Sequence, residues 1–270
     1  RHNRQTIRTV AFILLLILLV ALTRFLSLDG ILTANRPPQT QQVLIGLIIL
    51  LATGGILSWL GRSSSKWLGA GILVILLIFI FLKLPALTFS LSSLLRNLVG
   101  QSTTNASALD IRWLGFSYVA FRLIHTLRDR QAGRLPAVSL QNYVNYVIFF
   151  PAVSAGPIDK LPRFDKDFQN PLTLNVEVFG SSFTRLMIGL FKKFALADTL
   201  GLIALNSQNA AQLQANGWGW VMVYAYAFQI YFDFSGYSDI AIGLGQLLGI
   251  QLPENFNKPY LRTNLTQFWN

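Results

Sequence analysis

The sequence contains no cysteine and only two histidines among its 270 residues. Without cysteine the chain has no disulfide, no thiol nucleophile and no thiolate ligand for a metal. Charged residues are scarce as well, at 12% of the chain, whereas soluble domains carry about 25%. Hydrophobic residues make up 53%, and the mean hydropathy is +0.48. This composition indicates a membrane protein.

The few charges are mostly positive, and they give the chain a formal net charge of +11. In a soluble protein such an excess favours nucleic-acid binding. Here the basic residues cluster in short loops between apolar segments, where they orient a chain in a bilayer. We therefore predict the lipid bilayer as a partner, and no nucleic acid.

The apolar segments predict an all-α, polytopic helical bundle that forms one membrane domain over residues 1–270. A span needs roughly 20 residues. Loops rich in Lys and Arg alternate with loops that are poor in them, so the positive-inside rule predicts a cytoplasmic N-terminus. The last segment is long for a single straight span, and we expect it to tilt or to break at Gly236. The predicted spans are 7–28, 43–60, 67–84, 109–127, 194–213 and 218–250.

Residues 142–157 are apolar but short for a span, and Pro151 interrupts them. Basic residues flank this segment on both sides, which predicts that it enters the membrane and returns to the same face. Irregular backbone at membrane depth is tolerated only where it is buried in protein or lines a cavity. We therefore expect Pro151, Gly156 and Pro157 to belong to a re-entrant turn.

Two acids, Asp233 and Asp239, lie within the last apolar segment. A carboxylate that faces lipid is costly, so such residues usually face other helices or a hydrated pathway. Helical spacing places Gln229 and Tyr237 on the face of Asp233, and Ser235 on the face of Asp239. Two interpretations are open: the acids bind Lys, Arg or neighbouring helices and fix the bundle, or at least one acid lines a hydrated tunnel. A transporter whose acids carry ions fits the same pattern.

The segment after the acids, LPENFNKPY, is rich in Pro and Asn and predicts an ordered loop. Further candidates for a polar site in this region are Ser238, Asn255, Asn257 and Tyr260. Carboxylates and amides without a nearby histidine are a weak ligand set, so no metal site is predicted.

Two other features have simpler interpretations. Gly245 and Gly249 form a G-x-x-x-G pattern, which predicts that helices pack closely there. His125 lies between Arg122 and Arg128, and these basic neighbours favour a position at headgroup level over a catalytic role.

Three stretches carry the most specific signals: QIYFDFSGYSDIAIGLGQLLGIQLPENFNKPYLRTNLTQFW, FFPAVSAGPIDKLPRF and GLFKKFALADTLG. The first resembles the signature region of the membrane-bound O-acyltransferase family. The second resembles the family's F-P-x-x-x-A-G-P-I segment, and the third its G-L-F-K-K-x-x-x-A-D segment. The stretch LGFSYVAFRLIHTLRDR matches more loosely. The resemblance covers about residues 109–269 and is closest to the bacterial branch that acetylates alginate and similar polysaccharides or D-alanylates teichoic acids.

This resemblance implies a multi-pass protein of the bacterial cell membrane, pierced by a tunnel. Such a protein passes an acyl group, here expected to be acetyl, from a cytoplasmic thioester to a hydroxyl on the other side. The donor would be acetyl-CoA or an acyl carrier protein, used as substrate, with no bound cofactor. The acceptor would be a polysaccharide or another envelope polymer, and an extracytoplasmic partner transferase is one route to it.

The family's catalytic histidines follow the F-W pair that is here Phe268–Trp269. Asn270 stands where the family usually has a basic residue, and no position of this sequence matches a catalytic histidine. We expect the sequence to be part of a longer protein and to be inactive by itself, with the polar residues of 229–239 supporting a histidine beyond Asn270. An inactive truncated remnant is the remaining alternative.

Overall fold

The computed structural model describes residues 2–25, 40–41, 43–48, 51–52, 65–98, 100–110, 115–211 and 216–269. These residues form helices joined by turns, and no strand occurs among them. The fold class is therefore all-α, as the sequence predicts. The helices of the first part are α1 His2–Leu22, α2 Ser65–Lys83, α3 Pro85–Leu98, α4 Phe116–Gln131, α5 Leu140–Val147 and α6 Leu161–Gln169.

The second part begins with α7, whose first turn is capped by Asn175. The Asn175 side chain accepts a hydrogen bond of 2.8 Å from the Val178 amide, and this satisfies one of the free amides of a helix start. The helices of this part are α7 Val176–Leu190, α8 Asp198–Ile203, α9 Ser207–Ala211, α10 Asn216–Leu247 and α11 Leu265–Trp269. A π-helical turn, Phe191–Ala197, joins α7 directly to α8. The 3-10 turns are Thr23–Phe25, Thr103–Asn105, Phe150–Ala152 and Pro259–Leu261.

Within the described part of the chain, one helical segment, Gln5–Leu22, is long and apolar enough to cross a membrane by itself. A second candidate is the pair Trp67–Lys83 and Pro85–Leu98, whose axes bend by 90° at the break between them. Most of the predicted span 43–60 lies outside the described residues. The number of spans and their orientation stay predictions.

The chain divides into two compact units. The first comprises Arg1–Leu77 and Ile124–Asn145, and the second comprises Ile78–Leu123 and Tyr146–Asn270. In the first unit, α2 packs on α4, where a Cβ at Gly71 would lie 3.6 Å from the Leu127 side chain. The second unit contains α7, α10 and all of the polar residues predicted to form a site.

Helix α10 is continuous over 32 residues, from Asn216 to Leu247. A break at Gly236, one of the two outcomes expected from its length, does not occur. Gly236 instead lies at a tight helix crossing, where a Cβ would come within 2.8 Å of the Gly189 carbonyl oxygen and the Lys193 amide nitrogen. The glycine is explained by this close approach and not by a bend.

The predicted packing of Gly245 and Gly249 as one G-x-x-x-G pair is wrong, because α10 ends between them at Leu247. Gly249 has a φ of +82°, which suits glycine at a helix end. The Ile250 amide donates to the Gly245 carbonyl at 2.8 Å, and the Gly249 amide donates to Gln246 at 3.0 Å. This is the hydrogen-bond pattern of a Schellman C-cap, so Gly249 terminates the helix.

Candidate functional site

The candidate site forms where α7 and the π-helical turn cross α10. A π-helical turn has more residues per turn than an α-helix, so the directions of successive side chains diverge less. Lys192 and Lys193 follow each other in this turn, and both reach acids of α10. The local change in helix type therefore lets two consecutive lysines contact one neighbouring helix.

The first pair lies on the α10 face that carries Asp233 and Tyr237. The Lys193 ammonium donates a hydrogen bond to the Asp233 carboxylate. The same ammonium lies 5.8 Å from the centre of the Tyr237 ring, within the range of a cation–π contact. The Tyr237 hydroxyl in turn shares a hydrogen bond with the Ser154 hydroxyl. This face thus links α10 to the turn that follows α5.

The second group lies on the α10 face of Ser235 and Asp239. Lys192 donates to the Asp239 carboxylate at 2.6 Å and to the Ser235 hydroxyl at 3.1 Å. Arg185 of α7 donates to the other carboxylate oxygen of Asp239 at 3.0 Å. Arg185 also donates to Glu254 at 2.6 Å, so one guanidinium ties α10 to the loop that follows it.

The two acids differ in how far the protein covers them. The Asp239 side chain is 13% exposed and binds two cations, whereas the Asp233 side chain is 47% exposed and binds one. These ion pairs are the contacts expected if the acids fix the helix bundle. At Asp239 they engage both carboxylate oxygens. Asp233 keeps an accessible side, so it is the acid that can also face a substrate.

The loop after α10 is ordered by side-chain contacts. Asn255 donates to the Ser238 hydroxyl at 3.0 Å, and the Asn257 carbonyl accepts from Arg262 at 2.9 Å. The Tyr260 hydroxyl donates to the Ala227 carbonyl at 3.1 Å. The Tyr260 ring also contacts three other rings at centroid distances of 5.4–6.1 Å, namely those of Phe228, Tyr231 and Phe268.

Residues 142–157 form the end of α5, the 3-10 turn and an irregular stretch against α10. Pro151 and Pro157 are buried. A Cβ at Gly156 would lie 2.5 Å from Ala152 and 3.0 Å from the Ala241 side chain of α10. Only glycine fits this position without displacing the turn. The predicted re-entrant residues therefore pack on the helix that carries both acids.

Arg122 of α4, for which the sequence predicted no role, binds the backbone of this turn. Its side chain is 2% exposed, and its guanidinium donates to the carbonyls of Tyr146, Val147 and Ala152 at 3.0–3.1 Å. Buried carbonyls need such partners. Arginine suits the task because its planar guanidinium offers several donors in a fixed geometry.

The structure brings together most of the predicted site residues around α10. Gln229 lies against α8, where a Cβ at Gly201 would come within 2.9 Å of its amide nitrogen. His125 belongs to the first unit, and its imidazole Nδ1 lies 3.4 Å from the Asp129 carboxylate. Five participants were not among the residues predicted from the sequence: Ser154, Arg185, Lys192, Lys193 and Glu254. The stretch GLFKKFALADTLG, which contains both lysines, was a signal for them.

The cluster contains cations and acids in equal number, so it carries no net charge that would attract a free anion. Its hydroxyls and amides can orient a polar substrate through hydrogen bonds. Neither histidine of the sequence belongs to it. Among the described residues, no group of three or more His, Asp or Glu side chains could hold a metal ion.

Comparison with known proteins identifies a family. The family model of the membrane-bound O-acyltransferases matches residues 12–270. The chain is 35% identical over 210 residues to the probable alginate O-acetylase AlgI of Pseudomonas aeruginosa, covering 77% of this chain and 40% of that protein. It is 30% identical over 176 residues to the teichoic acid D-alanyltransferase of Streptococcus thermophilus, covering 63% of this chain and 42% of that protein.

A third relative, the teichoic acid D-alanyltransferase of Bacillus subtilis, is 31% identical over 163 residues, which cover 59% of this chain and 41% of that protein. The matched region thus spans about two fifths of the length of each of these relatives. The match of the family model extends over nearly the whole chain. The chain belongs to the membrane-bound O-acyltransferase family, whose members are acyltransferases.

Proposed function

We propose that this chain is part of an enzyme that moves an acyl group, acetyl in the first instance, from a cytoplasmic thioester to a hydroxyl of an extracytoplasmic polymer. Alginate and teichoic acid, named for the relatives, support a polysaccharide or another envelope polymer as the acceptor. Acetyl-CoA or an acyl carrier protein would serve as donor. The enzyme would be a multi-pass protein of the bacterial cell membrane with a cytoplasmic N-terminus, acting alone or with an extracytoplasmic partner transferase.

The observation that carries this proposal is the polar cluster between α7 and α10. Transfer from a thioester to a hydroxyl needs a base that takes the hydroxyl proton and donors that stabilise the developing oxyanion. The cluster supplies a carboxylate with an accessible side, Asp233, and the ammonium of Lys193 beside it. A histidine beyond Asn270 would act as the base, and the α10 cluster would orient it or the substrate in a tunnel.

Within this proposal the two acids have different tasks. Asp239 is held by Lys192 and Arg185, and it would fix α10 against α7. Asp233 would face the tunnel, together with Gln229 and Tyr237 on the same helix face. Ser238 and Asn255, which bond each other, would hold the loop of Asn257 and Tyr260 beside this face.

The proposal is tested with the full-length protein in sealed vesicles, with labelled acyl donor outside and a polysaccharide acceptor inside. We expect label to appear on the acceptor, and Asp233→Asn to lower the rate while the protein inserts normally. Residues 1–270, expressed without any further sequence, should transfer no label. Ion flux that depends on Asp233, without acyl transfer, would support a transporter instead. Transfer by residues 1–270 alone would show that a base lies within this chain.

A further inference from the structure

We infer that the outward face of α6 is a binding surface for anionic phospholipid headgroups. Its basic residues are Arg163 and Lys166, with Lys160 directly before the helix, and all three are exposed. The nearby acids turn towards the protein: Asp159 and Asp165 are buried. Basic and acidic residues are interspersed in the sequence of this region. In the folded protein the basic side chains face outward, whereas Asp159 and Asp165 face the interior.

Hydrogen bonds keep the acids on the inner side. Asp165 accepts from Gln169 at 2.7 Å, and Asp167 accepts from the Gln251 amide, beyond the end of α10, at 3.0 Å. Asp159 accepts from the Lys160 amide at 2.7 Å, and its carboxylate lies 4.0 Å from Arg163. The acids are therefore used within the fold, and the outward face of α6 is cationic.

The opposite side of α6 anchors the helix. Leu161 and Phe164 are each 1% exposed. The Phe164 ring meets the rings of Tyr146 and Phe149 edge-on at 5.6 and 5.2 Å. At about 100° per residue, Arg163 and Lys166 lie on the side away from these apolar residues. Helix α6 is thus amphipathic and held in a fixed orientation.

Exposed apolar side chains at the two ends of α6 and at the start of α7 favour a membrane partner. Ile158 and Phe168 are exposed at the two ends of α6, and Leu174 and Val176 are exposed at the start of α7. Exposed apolar groups next to Lys and Arg are typical of the boundary between headgroups and acyl chains. Each basic residue near an anionic surface strengthens binding by about fivefold.

The test uses the full-length protein in nanodiscs, with a fluorescent probe on a cysteine introduced at Asn170, the residue after α6. Brominated phosphatidylglycerol or brominated phosphatidylcholine is titrated into a zwitterionic bilayer. We expect phosphatidylglycerol to quench the probe at a several-fold lower mole fraction, with the difference shrinking at high salt because salt screens exposed charges. The triple variant Lys160→Gln, Arg163→Gln and Lys166→Gln should show equal quenching by the two lipids.

Two controls make the result decisive. Removing the same charge elsewhere, by Arg128→Gln, Arg130→Gln and Arg134→Gln, should leave the preference at the probe unchanged. Replacing Lys160 and Lys166 by Arg, and Arg163 by Lys, keeps the charge and should preserve the preference for phosphatidylglycerol. This variant keeps the inference testable if the neutral variant misfolds. Equal quenching in the parent protein would overturn the inference. If that result came with loss of acyl transfer in the neutral variant, the face would serve an acidic protein partner instead.

Discussion

Gly189 of α7 and Gly236 of α10 are in backbone contact at the crossing of the two helices. A Cβ on Gly236 would lie 2.8 Å from the Gly189 carbonyl oxygen, and a Cβ on Gly189 would lie 2.7 Å from the Gly236 carbonyl oxygen. Helices in lipid approach this closely only through small residues. The crossing brings the π-helical turn within reach of the α10 acids, so the glycines and the ion pairs form one structural unit.

Gly236→Ala should therefore destabilise the full-length protein by about 1–3 kcal/mol, the usual cost of adding a methyl group to a packed interior. Thermal unfolding in detergent measures this. Gly219→Ala on the same helix is the matched control, because no atom lies within 4 Å of a Cβ there. Alanine favours a helix over glycine, so this control should be as stable as the parent. Equal melting temperatures for both variants would contradict the tight crossing.

Asp233→Asn and Asp239→Asn should separate activity from stability. Asp239→Asn leaves Lys192 and Arg185 without their shared, partly buried carboxylate, and losing hydrogen bonds to a charged group in this way costs about 1.5–3 kcal/mol. Asp233→Asn removes a half-exposed pair, which costs less than about 1 kcal/mol. It should nevertheless lower acyl transfer by about 10- to 100-fold, as for groups that orient a reacting centre.

The measurement pairs the melting temperature with the initial rate of transfer for each variant. Ser181→Ala is a suitable control, because this exposed α7 hydroxyl donates to the carbonyl of Val178 in its own helix. A stable and fully active Asp233→Asn protein would make Asp233 a packing residue, contrary to its proposed place in the tunnel.

Arg122→Lys should loosen the turn that follows α5. A lysine ammonium keeps the charge but is a single point donor, so it cannot reach all three carbonyls that Arg122 binds. Each buried carbonyl left without a partner costs about 1–3 kcal/mol. We expect faster amide hydrogen exchange at residues 150–157 in the variant. Arg128→Lys, at an exposed position of the same helix, should exchange like the parent.

The pH dependence of stability should carry a contribution from Asp159. Burial raises the pKa of this carboxyl above its ordinary value, and the Lys160 amide offsets part of the rise. The folded state thus holds the proton more tightly than the unfolded state, whose Asp pKa is about 3.9. Stability from this group is present below that pH and is lost as the pH rises through the higher folded pKa.

Melting curves between about pH 4 and pH 7 test this sign. Asp159→Asn should flatten the dependence in this range, because the amide has no proton to lose. It should also raise the stability at neutral pH, where the parent buries a charge. A steeper dependence in the variant would contradict the assignment.

The predicted re-entrant topology of 142–157 can be tested by cysteine labelling, since this sequence has no cysteine of its own. Single cysteines replace Arg134 and Lys160, one on each side of the segment. An impermeant reagent should label both from the same face of an oriented vesicle, because both flanks are basic. Cysteines at Arg4 and Arg62, outside the predicted spans, serve as markers of the predicted cytoplasmic face. Labelling of positions 134 and 160 from opposite faces would show that the segment crosses the membrane.

The sequence by itself determined the fold class and the family. Long apolar segments and scarce charges favour helices, which satisfy their own backbone hydrogen bonds in an apolar environment. The stretches around the α10 acids, around Pro151–Pro157 and around FKKFALAD all lie within the region that the family model matches. Composition and local spacing are properties of the sequence itself, so they are sufficient to predict the fold class and the family. Helical spacing also assigned Asp233 and Asp239 to different faces, which the separate contacts of Lys193 and Lys192 confirm.

Only the tertiary structure decided which partner each acid has and what each glycine does. The pairing depends on the rotation of α7 against α10 and on the π-helical turn, and neither follows from helical periodicity. Gly236 and Gly249 show the same limit: a glycine can mark a bend, a crossing or a cap, and only the neighbouring backbone tells these apart. Arg122 had no recognisable motif because its partners are main-chain carbonyls, which any sequence provides.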